Sequence, residues 1–212
     1  MRRQAGHHTP HAFHALPCPN EAVQQTLCGR CGDTNPCLAC HLEDCMQIAI
    51  LAYDRMTALD AVGPYEVLCR LPNAMVHFVA AEPGPIRTDT HGFHSRFALI
   101  ADARLEDVPA PDLIVVPGGS TGTLEVMRHE RTLNWLRSAH ATSQWTTSIC
   151  TGAFILGAAG LLQGLQATTH WASKDALSQV GATYVAERFV QQGKIITAAG
   201  VVGGHRYGAL PR

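Results

Sequence analysis

The stretch WTTSICTGAFILGAAGLL, residues 145–162, predicts the central unit of the fold. Its first half is short and rich in β-branched residues, which is typical of a buried strand. Its second half is a Gly/Ala/Leu run with helical character. Cys150 stands between the two halves, so it is either a small apolar side chain in the core or a nucleophile presented at a sharp turn.

Strands and helices alternate on both sides of this unit. Strands are predicted within 47–53, 75–83 and 112–119, with extended pairs within 86–102 around His91 and Gly92, and within 183–200 around Gln192 and Gly193. Helices are predicted within 59–71, 172–181 and 122–141, the last with one apolar face of Leu124, Met127, Leu133 and Leu136. Strands separated by helices imply a parallel sheet covered on both faces. We therefore predict an α/β fold, a flavodoxin-like three-layer sandwich with a mostly parallel sheet.

Composition divides the chain into three parts. Residues 1–45 are rich in His, Cys, Pro, Asn and Gly without a hydrophobic period, so we expect a disordered or non-native extension, with Met46 as a possible translation start. Residues 46–202 form the predicted domain. Residues 203–212 contain no helical pattern, although a doubly wound domain usually covers this sheet edge with a final helix. We interpret them as an irregular, truncated C-terminus.

Six of the eight cysteines lie in the extension. Two C-x-x-C pairs, Cys28/Cys31 and Cys37/Cys40, have the spacing of zinc ligands. Only five residues separate the pairs, which is far fewer than in a zinc ribbon. We therefore expect no metal.

Charge and hydropathy exclude several partners. The net charge of −1 shows no excess of basic residues of the kind that binds nucleic acid or an anionic membrane. The chain begins without the continuous apolar stretch of a secretory signal, and it has no run of about 18 apolar residues. We expect a cytoplasmic protein that binds a small molecule. The PGG segment lacks the spacing of a phosphate or dinucleotide loop, so a nucleotide cofactor is not expected.

Three candidate site elements follow strands, where α/β sheets bind ligands. They are Asp60, the PGGSTG segment 117–122, and Cys150. A thiol at a helix N-terminus faces free N–H groups and the positive end of the helix dipole, so we expect Cys150 to favour the thiolate. The N–H groups of Thr151, Gly118 and Gly119 are candidates to hold a developing anion.

The residues alone leave several roles open. Asp60 is either the acid–base partner or an N-cap of the following helix. Glu66 either faces the same cleft or is exposed, and His170 is either a base or a packed histidine. Thr151 either binds substrate or only begins the helix. Cys69 is expected to pack in the core.

Four segments together resemble the ThiJ/PfpI superfamily, whose fold is class I glutamine amidotransferase-like. They are LDAVGPYEVL (59–68), DLIVVPGG (112–119), SICTGAFILGAAGLLQGLQATTHW (148–171) and GKIITAAG (193–200). The pattern is most similar to the isonitrile hydratase branch, which has Asp before the Gly-Pro and Thr after the Cys. PfpI-type proteases carry His at the position of Thr151, so the resemblance argues against protease activity.

The resemblance implies roles for matching residues. Cys150 attacks the terminal carbon of an isonitrile, and Asp60 moves protons and positions water. The thioimidate formed in this way is hydrolysed to an N-substituted formamide, while Thr151 and the Gly118–Gly119 turn orient the adduct. No metal or organic cofactor is implied. Relatives are usually homodimers with the cysteine near the subunit interface.

A second interpretation comes from the same superfamily. AraC-type transcription regulators carry a similar ligand-sensing domain, followed by a helix-turn-helix region. The sequence shows no such region after residue 202, and its charge does not support DNA binding. We therefore expect a stand-alone enzyme, with a truncated regulator as the alternative.

Overall fold

The structure is a computed structural model that describes residues 45–88 and 97–200. The two C-x-x-C pairs, the expected turn at His91 and Gly92, and segment 203–212 lie outside the described residues. The predicted extension also lies outside them, apart from Cys45.

Within these ranges the chain alternates strands and helices. The strands are β1 (Met46–Leu51), β2 (Ala74–Ala80), β3 (Gly84–Arg87), β4 (Ala98–Ala101), β5 (Ala103–Arg104), β6 (Leu113–Val116), β7 (Trp145–Ile149), β8 (Gln166–Ala167), β9 (Thr183–Tyr184), β10 (Phe189–Gln192) and β11 (Ile195–Ala198). The α-helices are α1 (Ala58–Leu68), α2 (Thr121–Val126), α3 (Glu130–Thr142) and α4 (Gly152–Ala158), and two 3-10 segments span Leu105–Asp107 and Trp171–Val180.

A seven-stranded sheet carries the core, in the order β10-β11-β7-β6-β1-β2-β5. All neighbours are parallel except β10 and β11, which form an antiparallel hairpin. Along β1 the four residues 48–51 are buried in succession, and so are residues 114–116 of β6. Such runs without alternation occur because parallel strands are covered on both faces. The predicted α/β fold with a mostly parallel sheet is confirmed.

The predicted helix over 122–141 is two helices. The chain leaves the helical path after Met127 and restarts at α3, where the Nδ1 atom of His129 lies 2.8 Å from the Thr132 hydroxyl. Leu133 and Leu136 are buried as predicted, and Met127 packs against the core. The prediction for Leu124 is wrong: this side chain is exposed, because α2 buries Gly122, Thr123 and Val126 instead.

Other elements differ in detail from the sequence predictions. The segment expected as a helix over 172–181 is a 3-10 segment, which ends at Gly181 with a φ of 83°. Residues 183–184 pair with β8 in a separate two-stranded sheet. Cys69 is exposed rather than packed in the core. Cys69 follows the last residue of α1, where Leu68 packs against the core while Val67 and Cys69 are exposed.

Candidate active site

The candidate site lies where β6, β7 and β11 end side by side. Cys150 follows β7 with a φ of 56°, a left-handed conformation that costs a non-glycine residue strain energy. Its N–H donates to the Ala198 carbonyl at 2.9 Å, which continues the β7–β11 pairing by one residue. The thiol-bearing residue is buried, with 8% of its surface exposed. The turn therefore holds Cys150 in a strained, enclosed position.

Two glycines on the neighbouring strand ends make room for Cys150. A Cβ atom at Gly118 would lie 2.8 Å from the Cys150 Cβ and 2.6 Å from the Thr151 nitrogen. A Cβ atom at Gly200 would lie 2.7 Å from the Cys150 Cα and 2.9 Å from its nitrogen. Real side chains do not tolerate such distances, so the close approach of these strand ends requires glycine at both positions.

Asp60 approaches the same point from α1. Its side chain is buried, and the N–H of Gly118 donates to its Oδ2 atom at 3.2 Å. The Cys150 thiol lies near enough to this carboxyl for each group to shift the pKa of the other. The N-cap of α1 is Thr57, so the capping interpretation of Asp60 is wrong. Asp60 is the third residue of α1, and at this position its carboxyl points toward the end of the sheet and lies near the Cys150 thiol.

Burial controls the electrostatics of this pair. Burial raises the pKa of Asp60 to about 6, although hydrogen bonds from Gly118 and Cys150 act in the opposite direction. Burial also raises the pKa of Cys150 to about 12, the Asp60 charge adds to the effect, and the Thr151 N–H opposes it. Burial and the Asp60 carboxylate thus oppose the expected thiolate at Cys150, and they outweigh the N-terminus of the seven-residue α4. Both effects favour the protonated thiol.

Thr151 anchors the turn after β6. Its hydroxyl donates to the Gly119 carbonyl at 2.6 Å and accepts from the Gly119 N–H at 2.9 Å. Because the Gly118 N–H is bonded to Asp60, both glycine N–H groups are engaged by side chains of the site. In this state they position Asp60 and Thr151 rather than point at an empty anion site, whereas the Thr151 N–H faces the thiol.

Two other candidates have partners of their own. Glu66 is exposed and forms an ion pair with Arg70 at 2.9 Å. The Nδ1 atom of His170 accepts from the Ala172 N–H at 3.3 Å and caps the 3-10 segment. Burial lowers the pKa of His170. Each of these side chains thus has a contact that agrees with the non-catalytic alternative considered for it.

Sequence reasoning missed the buried hydroxyls around the turn. Thr123 lies 3.1 Å from the Thr151 hydroxyl and 3.2 Å from that of Tyr53. Thr169 donates to the Cys150 carbonyl at 2.9 Å. The ATTHW segment, residues 167–171, contained a signal for Thr169, since two adjacent polar residues follow an apolar run. Of this segment, only His170 was considered as a functional residue.

The described residues were compared with the requirements of a metal site and of a membrane-spanning helix. In ranges 45–88 and 97–200, no group of three or more His, Cys, Asp or Glu side chains has the arrangement of a metal site. No helix in these ranges is long and apolar enough to cross a membrane.

The chain has clear relatives. The DJ-1/PfpI family pattern matches residues 46–208. Isonitrile hydratase from Pseudomonas putida is 42% identical over 159 residues, which are 75% of this chain and 67% of that protein. The crystal structure of a ThiJ/PfpI family protein from Pseudomonas syringae has a TM-score of 0.70 and 33% identity, covering 83% of this chain and 73% of that one. The HTH-type transcriptional regulator CdhR from Pseudomonas aeruginosa is 28% identical over 162 residues, which are 74% of this chain and 46% of the regulator. The predicted resemblance is confirmed: the chain belongs to the DJ-1/PfpI family.

Proposed function

We propose that this chain hydrates isonitriles to N-substituted formamides by covalent catalysis at Cys150. The observation that carries the proposal is the buried thiol–carboxyl pair of Cys150 and Asp60 at the strained turn. The 42% identity to isonitrile hydratase supports the choice of substrate class. Thr151, beside the thiol, and the glycines Gly118 and Gly119 complete the proposed site.

The first step adds the S–H group across the terminal carbon of the isonitrile. The sulfur of Cys150 forms a bond to this carbon, and the thiol proton passes through Asp60 to the same carbon. The product is a thioimidate, Cys–S–CH=N–R, in which no atom has been lost. A carboxyl with a pKa of about 6 suits this transfer, since it both accepts and releases a proton near neutral pH.

The second step consumes one water molecule. Asp60 accepts a proton from water as the oxygen bonds to the thioimidate carbon. The C–S bond then breaks, nitrogen and sulfur each receive one proton, and R–NH–CHO leaves. Cys150 returns to the thiol, and Asp60 to its starting state. During both steps the Thr151 N–H, which faces the sulfur, stabilises charge that develops there.

The decisive test is an NMR assay for N-substituted formamide formed from simple aliphatic and aromatic isonitriles. We expect wild-type protein to form formamide, and Cys150→Ala and Asp60→Asn to lose activity by about a hundredfold or more. Cys69→Ala is the matched control, because this exposed cysteine lies away from the turn and its loss leaves turnover unchanged. An inactive wild type, or full activity in Cys150→Ala, refutes the proposal.

The alternative is a ligand-sensing domain of an AraC-type regulator. The similarity to CdhR supports it, although the identity is lower than for isonitrile hydratase. A sensor retains the enclosed site but binds its ligand without converting it. Calorimetry that detects saturable isonitrile binding, together with no formamide, favours the sensor.

The proposed enzyme is a homodimer that works in the cytoplasm. Helix α1 leaves Leu59 and Val67 exposed, at 55% and 66%, and these apolar side chains suit a second copy of the chain. Because α1 also carries Asp60, such an interface borders the site. A thiol nucleophile must stay reduced, which supports a cytoplasmic location. Sedimentation equilibrium tests the dimer: Val67→Glu should convert it to monomer, whereas a monomeric wild type contradicts it.

A further inference from the structure

Two adjacent buried threonines behind the turn have different partners. The hydroxyl of Thr169 donates to the Cys150 carbonyl at 2.9 Å. The hydroxyl of Thr168 donates to the Glu187 carbonyl at 3.0 Å, away from the thiol. Both residues are at most 1% exposed. They share residue type, burial and neighbourhood, so any difference between them reflects the group that each one bonds.

The hydrogen bond to the Cys150 carbonyl comes from the Thr169 hydroxyl and not from a backbone N–H of α4. The bonding of α4 begins one residue later, where the Phe154 N–H donates to the Thr151 carbonyl at 3.0 Å. On the other side of Cys150, its N–H is fixed by the Ala198 carbonyl. Cys150, with its strained φ of 56°, is therefore held by a backbone hydrogen bond on its N–H and by a side-chain hydrogen bond on its carbonyl. Only the side-chain hydrogen bond can be removed by substitution.

The Cys150–Thr151 peptide couples Thr169 to the thiol. In a trans peptide, the C=O and N–H bonds point in opposite directions within one rigid plane. The described residues contain no cis peptide, so a hydroxyl that fixes the Cys150 carbonyl also fixes the direction of the Thr151 N–H. That N–H belongs to the residue bonded to Cys150 and lowers the pKa of the Cys150 thiol, against the larger opposing effect of burial.

We propose that Thr169 is a positioning residue, which aims the Thr151 N–H at the Cys150 sulfur by holding the carbonyl at the opposite edge of the same peptide. Its effect on thiol reactivity is independent of the substrate. Its effect on turnover rests on the proposed isonitrile hydration. Without the hydroxyl, the peptide is free to tilt, and charge that develops on sulfur loses a well-aligned donor.

The test compares Thr169→Val with Thr168→Val, since each removes one buried hydroxyl and keeps the side-chain shape. Alkylation of Cys150 by iodoacetamide is followed by peptide mass spectrometry across alkaline pH, with the exposed Cys69 as internal reference. We expect Thr169→Val to slow Cys150 alkylation about tenfold and to shift its pH profile to higher pH. The effect is limited to this size because the Thr151 N–H is misaligned in the variant and not removed. Thr168→Val should remain within about twofold of wild type, and Thr169→Ser should restore the rate.

Turnover provides the second readout. We expect Thr169→Val to lower kcat about tenfold with little change in KM, because the donor acts on developing charge rather than on bound substrate.

Equal alkylation rates of Cys150 in Thr169→Val and Thr168→Val overturn the positioning role. A wild type that forms no formamide but shows the expected alkylation pattern overturns the proposed function alone. If Thr169→Val does not fold, Thr169→Ser and Thr169→Ala repeat the comparison at matched volume, and equal alkylation rates in this pair overturn the role.

Discussion

Replacement of Asp60 by Asn should stabilise the folded protein while it abolishes the proposed activity. Burial raises the pKa of this carboxyl from 3.8 to about 6. Between these two values the folded state binds a proton that the unfolded state has released, so stability falls as pH rises. Asn cannot ionise, but its amide oxygen still accepts the Gly118 N–H. The variant therefore avoids the cost of an ionised group in a buried site.

The size of the effect follows from the shift. A difference of about two pKa units corresponds to about 3 kcal/mol, at 1.36 kcal/mol per unit. Below pH 3.8 the wild-type carboxyl is neutral in both the folded and the unfolded chain, as the Asn amide of the variant always is, so the two proteins should have equal stability. Above pH 6 or so, the Asn variant should have a free energy of unfolding up to about 3 kcal/mol higher.

Urea unfolding at a series of pH values measures this difference, with tryptophan fluorescence, to which the buried Trp135 contributes, as the signal. Asp102→Asn is the control with the opposite sign. Burial raises the pKa of Asp102, but hydrogen bonds from His77 and the Phe78 N–H outweigh it, so the net shift is downward. That variant should be less stable than wild type at neutral pH, with the deficit vanishing in acid. An Asp60→Asn difference that is constant with pH refutes the argument from burial.

Three further outcomes are expected. In Asp60→Asn the Cys150 thiol should alkylate faster than in wild type at mildly alkaline pH, because the carboxylate raises its pKa; equal rates, measured by peptide mass spectrometry, would contradict this. Gly200→Ala should cost about 2–4 kcal/mol in urea unfolding, since its Cβ meets the Cys150 backbone, whereas Gly193→Ala has open space around its Cβ and should cost about 1 kcal/mol. Tyr53→Phe should cost about 1–2 kcal/mol in thermal unfolding, because two buried hydrogen bonds of its hydroxyl are lost; an unchanged midpoint would count against them.

The sequence predicted the elements whose residue pattern follows directly from the way they pack. Uninterrupted apolar runs identified β1 and β6, since buried parallel strands need no alternation. It also placed Cys150 between a strand and a helix, because a β-branched run ends there and a Gly/Ala/Leu run begins. These features depend on residue type within a short window, so a single chain is enough to predict them.

The details that failed depend on tertiary contacts. Leu124 is exposed because the short helix α2 turns Gly122, Thr123 and Val126 toward the core instead. Cys69 is exposed because it lies past the end of α1, where Leu68 packs against the core in its place. The Thr169 hydroxyl reaches the Cys150 carbonyl only in the folded chain, because the two residues are 19 positions apart in the sequence. No periodicity contains that information.

The thiol electrostatics connect these contacts to the chemistry. A helix N-terminus alone predicts a thiolate, yet burial and a carboxylate 90 residues away in sequence raise the pKa of the Cys150 thiol and favour its protonated form. For the addition proposed here the proton is a reactant, because the isonitrile carbon gains both sulfur and hydrogen. A site that released this proton to solvent would have to recover it before the carbon could be protonated. The raised pKa of Cys150 and the pKa of about 6 at Asp60 thus suit a reaction in which Asp60 takes the proton from sulfur and delivers it to the isonitrile carbon.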